Sequence, residues 1–454
     1  MKLIYNIHDK PKFPQLIVFA IQQLLAIMAA TLVVPVIIGN GMAPAAALVG
    51  AGVGTIVYLL FTKFRSPVFL GSSFAFLGSM AAAFAGASTV ALGYLGLIIG
   101  AIFAGLIYVI IAIVVKYVGV AWINKLMPAV VIGPTVAIIG LSLAGNAIGD
   151  LGTAPAGGNT LIAVICGLVT LAVVIICSVY GNKMMKLIPF IIGILAGYAV
   201  ALIFTLIGML ADVEALMVID FSAFKALVAD GVKITTFLDI PDFTFVTAFG
   251  AFGELSGSYI LTILVAYAPV AFVVFAEHIA DHKNISTIIE KDLLEDPGLH
   301  RTLLGDGVGS MAGAFFGGCP NTTYGESVGC VAITGNASVV TILAAAIGAI
   351  IIAFIAPFVA FVNSIPSCVM GGVCMALYGF IAVSGLKMIQ KVNLEQNSNL
   401  FVVSVILISG IGGLTLTFGK VTITSIACAL ILGILTNIMV SKARAKEEAD
   451  NDKE

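Results

Sequence analysis

The sequence is built from uncharged apolar runs that are each about as long as a bilayer is thick. A transmembrane helix needs ~20 apolar residues to cross a hydrocarbon core of ~30 Å. Clear runs occupy 14–38, 44–62, 92–115, 127–147, 159–180, 187–210, 258–281, 338–362, 366–386, 399–418 and 421–440. Only 10% of the residues are charged and 61% are apolar, whereas a soluble domain carries about 25% charge. The composition excludes a soluble enzyme, a disordered chain and a nucleic-acid binder, and predicts an all-α polytopic membrane protein.

Basic residues test how many times the chain crosses the membrane. Three weaker apolar stretches, at 67–85, 302–318 and 319–334, raise the predicted number of transmembrane segments to fourteen. With the N-terminus inside, only Lys225, Lys233 and Lys420 of the 21 basic residues fall in outward segments. Cytoplasmic loops carry the excess of Lys and Arg. We therefore predict fourteen segments with both termini cytoplasmic.

An acidic connection at 212–257 divides these segments into two sets of seven. Seven is odd, so the second set would run antiparallel to the first, as in inverted-repeat transporters. The pattern P-x-x-V-x-G at 128–133 recurs at 366–371, in segments five and twelve, which are equivalent positions of such a repeat. The sequence thus predicts a 7+7 inverted repeat.

Segments three and ten are the weak members of the two sets, and interrupted segments at matching positions point to a transporter's binding site. Segment ten is too short to cross the membrane as a helix, but it is long enough to cross if 320–325 is extended and 326–333 is helical. Residues 71–76 are the corresponding stretch of segment three. Short strands there would expose backbone groups to a polar ligand; two ordinary Gly/Ser-rich packed helices are the alternative.

Two glutamates fall within apolar surroundings. Glu326 begins the helical half of segment ten, and Glu277 ends a long apolar run, with Asp281 and Asn284 at i+4 and i+7. Ionisable groups inside membrane segments are costly and indicate function; the alternative is that the group around Glu277 marks a cytoplasmic helix end. The sequence contains no Walker A or dinucleotide motif. We therefore predict secondary transport without a cofactor, with a proton as the coupling ion.

Several stretches resemble the nucleobase–ascorbate transporter (nucleobase:cation symporter-2) family, and within it the bacterial uracil permease branch. They are QQLLAIMAATLVVPVI at 22–37, LGSSFAFL at 70–77, FAEHI at 275–279, KDLLEDPGLHRT at 291–302 and CPNTTYGESVGCVAITG at 319–335. The similarity extends in order over nearly the whole chain.

The resemblance implies a core domain and a gate domain that move in an elevator-like manner. The core would comprise segments 1–4 (1–117) and 8–11 (258–362), and the gate segments 5–7 (118–211) and 12–14 (363–441), with the 212–257 connection outside the cell and a charged cytoplasmic tail at 442–454. It also implies short strands in segments 3 and 10. A homodimer in the bacterial cell membrane, surrounded by lipid and without nucleic acid, is expected.

The resemblance also implies the functional residues. Substrate contacts are expected at Glu277, Glu326, Phe74, Tyr324, Gly325 and Ala30, and proton coupling at Glu277, His282, Tyr378 and Cys374. Uracil offers two N–H donors to carboxylates, two carbonyls to strand amides and a ring that can stack on Phe74.

The sequence departs from the family at three positions. Ser327 stands where the signature usually has Asn, Gly335 replaces its closing basic residue, and Cys374 replaces a serine beside the proton site. Xanthine-type members tend to carry Gln where this chain has Glu326. We therefore expect proton-coupled uptake of uracil, with a xanthine or other purine symporter, an anion exchanger and a passive channel as alternatives.

Overall fold

Helices make up most of the chain. The computed structural model describes residues 3–119, 128–155, 157–229, 231–418 and 421–451. The helices are α1 Phe13–Ile38, α2 Pro44–Phe61, α3 Leu77–Ala85, α4 Val90–Val118, α5 Ala129–Ser142, α6 Ala144–Leu151, α7 Thr160–Tyr180, α8 Lys183–Leu187, α9 Pro189–Ala211, α10 Ser222–Val228, α11 Thr244–Ala248, α12 Gly257–Ile289, α13 Leu299–Gly317, α14 Gly325–Thr334, α15 Val339–Ala353, α16 Ala356–Asn363, α17 Ser367–Ile389, α18 Asn397–Ile411 and α19 Ser425–Asn451. Strands β1 Leu70–Ser72 and β2 Asn321–Thr323 form one antiparallel pair, and β3 Leu416–Phe418 and β4 Val421–Ile423 form another.

Eight helical stretches are long and apolar enough to cross a membrane. Within the described ranges they are α1, α2, α4, the continuous stretch Ala129–Leu151, α7, α9, α12 and α17. Four shorter apolar helices span Phe74–Ala85, Val339–Ala353, Asn397–Ile411 and Ser425–Ser441. The predicted helical membrane protein is therefore confirmed, while several predicted runs are shorter as helices than as apolar sequence.

Two of the predicted runs are interrupted. The run at 338–362 divides between α15 and α16 at Phe354 and Ile355, and the run at 399–418 ends as a helix at Ile411 before the β3–β4 hairpin. The predicted start at 127 of another run lies outside the described residues, as do the last three residues of the predicted charged tail.

Glycines let α2 and α13 approach closely beneath the first strand pair. A Cβ on Gly54 would lie 2.7 Å from the carbonyl oxygen of Gly309, and a Cβ on Gly309 would lie 2.8 Å from the carbonyl oxygen of Gly54. Such small-residue contacts allow helix backbones to touch in membranes. The Asn321 side chain at the start of β2 donates a 2.9 Å hydrogen bond to the carbonyl of Gly50 in α2, and so fixes the strand on this scaffold.

Candidate functional site

The strand pair β1–β2 brings together two chain segments that are far apart in sequence. Leu70, Gly71 and Ser72 pair with Thr323, Thr322 and Asn321. Beyond the strands, the amide of Ser73 donates to the Pro320 carbonyl at 2.9 Å, and the amide of Tyr324 donates to the Phe69 carbonyl at 3.2 Å. Each strand leads directly into a helical turn, so both segments are extended first and helical afterwards.

A cavity of about 550 Å³ opens where these two segments turn into helices; we call it the main cavity. Its wall comes from the ends of the strand pair, from α12 and α14, and from the facing helices α5, α8, α9 and α17, with single residues of α1 and α7. The residues used below are Ser73, Phe74, Val136, Ile139, Lys186, Glu277, Asp281, Asn284, Thr322, Thr323, Tyr324, Gly325 and Glu326.

Helix α12 places two carboxylates on the cavity wall. Glu277 and Asp281 are one helical turn apart and both line the cavity, as does Asn284 one turn further on. The helix continues to Ile289, twelve residues beyond Glu277, or ~18 Å along its axis. Glu277 therefore lies well inside a continuous helix and does not mark a helix end.

Asp281 links α12 to the second strand. Its Oδ2 accepts a 2.9 Å hydrogen bond from the Thr323 hydroxyl. Asp281 and Glu326 are both close enough to Glu277 for their charges to interact with it. The cavity thus gathers three carboxylates from two elements, and Glu326 stands in the first turn of α14, where a negative charge interacts favourably with the helix N-terminus.

Tyr324 has a structural contact as well as a place on the cavity wall. Its side chain is 5% exposed, and its hydroxyl donates to the Ser72 carbonyl at 2.6 Å. The ring lies where a Cβ on Gly71 would be, so the missing side chain of Gly71 lets Tyr324 cross the first strand. Gly325 differs: a Cβ there would meet only Asp281 Oδ1, at 3.8 Å.

Four of the residues singled out from the sequence do not line the main cavity. Ala30 is 1% exposed and belongs to the same apolar cluster as Leu70 and Tyr324. Tyr378 and Cys374 are buried one turn apart on α17, and the Tyr378 ring makes an edge contact with Phe74 at 6.1 Å. His282 is wholly buried away from the cavity.

His282 belongs to a buried polar network on the other face of α12. His282 Nδ1 donates to the His278 carbonyl at 2.8 Å, and its Nε2 lies 2.7 Å from the Tyr58 hydroxyl. His278 Nδ1 lies 2.7 Å from Asp306 Oδ2, and its Nε2 lies 2.9 Å from the Thr302 hydroxyl. Both imidazoles are 0% exposed and Asp306 is 1% exposed, so this network ties α12 to α2 and α13 in the dry interior.

Ser327, one of the departures from the family pattern, holds three elements together. Its hydroxyl oxygen accepts a 3.0 Å hydrogen bond from the Phe69 amide and another from the Gln23 side chain of α1. Ser327 is wholly buried. The hydroxyl therefore joins α14 to the start of β1 and to α1, directly beside Glu326.

Among the polar residues that line the cavity without a role predicted from the sequence are Asp281, Asn284 and Lys186. The i, i+4, i+7 spacing from Glu277 was the signal for the first two. Nothing in the sequence places Lys186, which comes from α8, opposite them. Within the described ranges, no group of three or more His, Cys, Asp or Glu side chains is arranged to hold a metal ion.

Helices long enough to span a membrane, packed around a cavity that holds carboxylates and is built on broken segments, are typical of a transporter. The model of the xanthine/uracil "Permease family" (nucleobase:cation symporter-2) matches residues 14–419. The chain belongs to this family, whose members are transporters and not enzymes.

Curated relatives match over nearly the whole chain. The uracil permease of Bacillus caldolyticus is 38% identical, with 97% of this chain and 95% of the relative covered. The uracil permease of Bacillus subtilis (strain 168) is 35% identical, with coverage of 100% and 98%. The uracil permease of Escherichia coli (strain K12) is 36% identical, with coverage of 94% and 92%.

Solved structures share the fold. The transmembrane domain of the cyanobacterial bicarbonate transporter BicA has a TM-score of 0.59 at 15% identity, with 95% of this chain and 100% of that chain covered. The murine anion transporter Slc26a9, in its inward-facing state, has a TM-score of 0.65 at 11% identity, with coverage of 96% and 69%. The chain is thus a multi-pass protein of the bacterial membrane with a transporter fold.

Proposed function

We propose that this protein carries a nucleobase across the membrane, and that the base is uracil. The observation that carries the proposal is the main cavity, which Glu277 and Glu326 both line beside the points where two short strands turn into helices. Relatives with 35–38% identity over nearly their full length are uracil permeases.

The chemistry of the main cavity suits uracil. The base has two N–H donors, and Glu277 and Glu326 supply acceptors on two different elements. Its two carbonyls can accept from backbone amides where β1 and β2 turn into helices. Phe74, which is half-buried on the cavity wall, offers a ring face for stacking. A ligand without N–H groups would leave a carboxylate unpaired, at a cost of roughly 1–3 kcal/mol or more.

An anionic substrate fits this cavity poorly. The solved structures with the same fold include a bicarbonate transporter and an anion transporter, but at 11–15% identity they share the fold alone. Three carboxylates line the cavity here, and Lys186 is the one basic residue among its described lining. Like charges in one site repel an anion, so we retain a neutral base as the substrate.

We further propose proton-coupled transport, since the cavity carboxylates can each take up a proton. Asp281 lies on the cavity wall one turn from Glu277, whereas His282, for which the family resemblance implied this role, is buried behind it. We assign the proton to the Glu277–Asp281 pair. Tyr378 and Cys374 act, in this proposal, from behind Phe74 and not on the proton directly.

We infer fourteen crossings in a 7+7 repeat with both termini cytoplasmic. The eight long and four shorter apolar helices make fourteen with α13 and the β2–α14 unit. Packing supports a core and a gate: α2 and α4 pack on α13, while α5 and α7 pack on α17. The main cavity lies between the two groups, so sliding of one past the other would carry the site in an elevator-like manner. In a homodimer, the gate domains of the two subunits would stay fixed while the core domains move.

Uptake of labelled uracil into proteoliposomes, with and without an imposed pH gradient, tests this proposal. We expect uptake driven by the gradient, abolished by a protonophore, and competed by unlabelled uracil more strongly than by xanthine or adenine. Uptake that ignores the protonophore would contradict proton coupling, and competition by xanthine alone would make the protein a purine carrier.

The variant Glu326→Gln tests the site within the same assay. We expect loss of uracil binding, because the amide keeps the shape of the side chain but presents a donor where the base has an N–H. Gly250→Ala, at an exposed position before α12 with no atom within 4 Å of the new methyl group and no positive φ, is the control for handling and should bind as the wild type does. Wild-type affinity of Glu326→Gln would refute the site.

A further inference from the structure

A second cavity, of about 520 Å³, lies next to the main cavity. Its wall is made by the end of α1 and by α3 on one side, and by α5, α6 and the start of α19 on the other.

Two residues lie at the boundary between this second cavity and the main one. Phe74 and Ile139 are the residues that line both cavities. Along α5, Val136 faces the main cavity and Ser142 the second, with Ile139 between them. Along the other wall, Ser73 faces the main cavity and Leu77 the second, with Phe74 between them. On each wall, one residue marks the change from one cavity to the other: Ile139 on α5 and Phe74 on the opposite wall. We call these two residues the septum.

The two cavities face opposite sides of the membrane in the predicted topology. Asn284 and Lys186 of the main cavity lie towards the cytoplasmic ends of their segments, whereas Asn40 and Thr424 of the second cavity lie at the outward ends of theirs. A solute arriving from outside would meet the second cavity first, and the septum would stand between it and the carboxylates.

The chemistry of the second cavity differs from that of the main one. No described residue of its wall carries a charge. Neutral hydrogen-bonding side chains come from both sides: Asn40, Ser142, Asn146, Thr424 and Ser425. The Asn146 side chain is exposed, while Phe74 and Phe84 supply aromatic surface. Amides and hydroxyls both donate and accept, and aromatic rings favour flat partners.

We propose that the second cavity is a separate, weaker binding site for a neutral planar heterocycle, which is held there before it passes the septum. The inference rests on the proposed function in that the heterocycle is the same base that the main cavity binds. Because the wall offers no carboxylate, binding there does not depend on Glu277 or Glu326.

Protection from thiol labelling tests this site, with uracil as the probe. The seven native cysteines are all buried, so a cysteine introduced as Asn146→Cys would be the accessible thiol for a membrane-impermeant maleimide. We expect millimolar uracil to slow its labelling several-fold, both in the otherwise native chain and together with Glu326→Gln. Thr153→Cys, which is exposed just beyond the same helix and outside the cavity wall, is the matched control and should label at an unchanged rate.

The outcomes separate the second cavity from the proposed function. Ser142→Cys repeats the test if Asn146→Cys fails to fold. Labelling that uracil does not slow at either position, or slows only while Glu326 is intact, would overturn the second site; in the latter case the label reports a movement caused by the main cavity. Protection by uracil without uracil transport would support the second site and overturn the proposed function. Uracil transport without protection would support the proposed function and overturn the second site.

Discussion

Helix α12 carries ionisable side chains on two faces, one of which lines the main cavity while the other is buried in the protein interior. On one face, Glu277 and Asp281 line a cavity, and of the two only Asp281 has a hydrogen bond to another side chain among the described contacts, from Thr323. On the other face, His278 and His282 are wholly buried and bonded on both ring nitrogens. Adjacent residues thus divide between a face that keeps its hydrogen-bonding capacity for a ligand and a face that has used it within the fold.

The same division recurs on α14. Glu326 lines the cavity, while Ser327, the next residue, is wholly buried and accepts from two other elements. In both helices, a residue that can bind a solute is followed by one that fixes the helix to its neighbours. We infer that substitutions on the two faces will separate binding from stability.

The largest effect is expected on the buried face. Asp306→Ala would leave the His278 ring without its carboxylate partner in the buried interior. Leaving a buried polar group unpaired costs about 1–3 kcal/mol, and the space left by the carboxylate adds to that loss. We expect a strongly lowered melting temperature in detergent, measured with a fluorogenic thiol dye that reacts as the seven buried cysteines become exposed.

Glu277→Gln is the matched comparison for Asp306→Ala, since it alters a carboxylate on the cavity face. Its melting temperature should stay close to that of the wild type. If Asp306→Ala melts like the wild type, the buried network does not stabilise the fold, and the contrast between the two faces fails.

The next effect is expected on binding. A hydrogen bond to a charged group contributes about 1.5–3 kcal/mol, so we expect Glu277→Gln to weaken uracil binding by roughly 10- to 150-fold. Equilibrium binding of labelled uracil to the purified protein measures this. His282→Gln, on the other face, should lower the melting temperature and leave the affinity of the folded protein nearly unchanged; weakened binding in both variants would show that the two faces act as one.

The sequence predicted only part of the difference between the two faces of α12. The helical spacing correctly grouped Glu277, Asp281 and Asn284 on one face and the two histidines on another. It could not say which face meets the cavity, because that depends on where α13 and the strand pair pack. The family resemblance implied a proton-coupling role for His282, whereas Asp281 is the residue of this pair that lines the cavity.

The strand pair was more predictable. The sequence predicts extended backbone at 320–325 and at 71–76, and β2 lies inside the first stretch while β1 overlaps the start of the second. Segment length and the Pro, Thr and Gly residues carry that signal. Two features needed the structure: that Tyr324 crosses over Gly71, and that Ala30 packs behind it. Both are consequences of side-chain contacts between distant segments, for which no local pattern exists.

The smallest effect is expected at Ser327. Ser327→Ala removes the acceptor for the Phe69 amide and the Gln23 side chain. We expect a loss of about 1 kcal/mol in the free energy of unfolding, since neutral hydrogen bonds contribute about that much each and the Gln23 amide can turn towards another acceptor. The melting assay measures the loss, and uracil binding should change less than it does in Glu277→Gln, because Ser327 faces away from the cavity.

A double-mutant cycle with Gln23→Ala decides whether Ser327 acts through this contact. If the hydroxyl stabilises the fold by accepting from Gln23, the two single substitutions will not add, because each already removes the shared bond. Additive losses would mean that Gln23 and Ser327 stabilise the fold separately. A loss of binding as large as that of Glu277→Gln, with unchanged melting, would place Ser327 functionally on the cavity face and break the division between neighbours on α14.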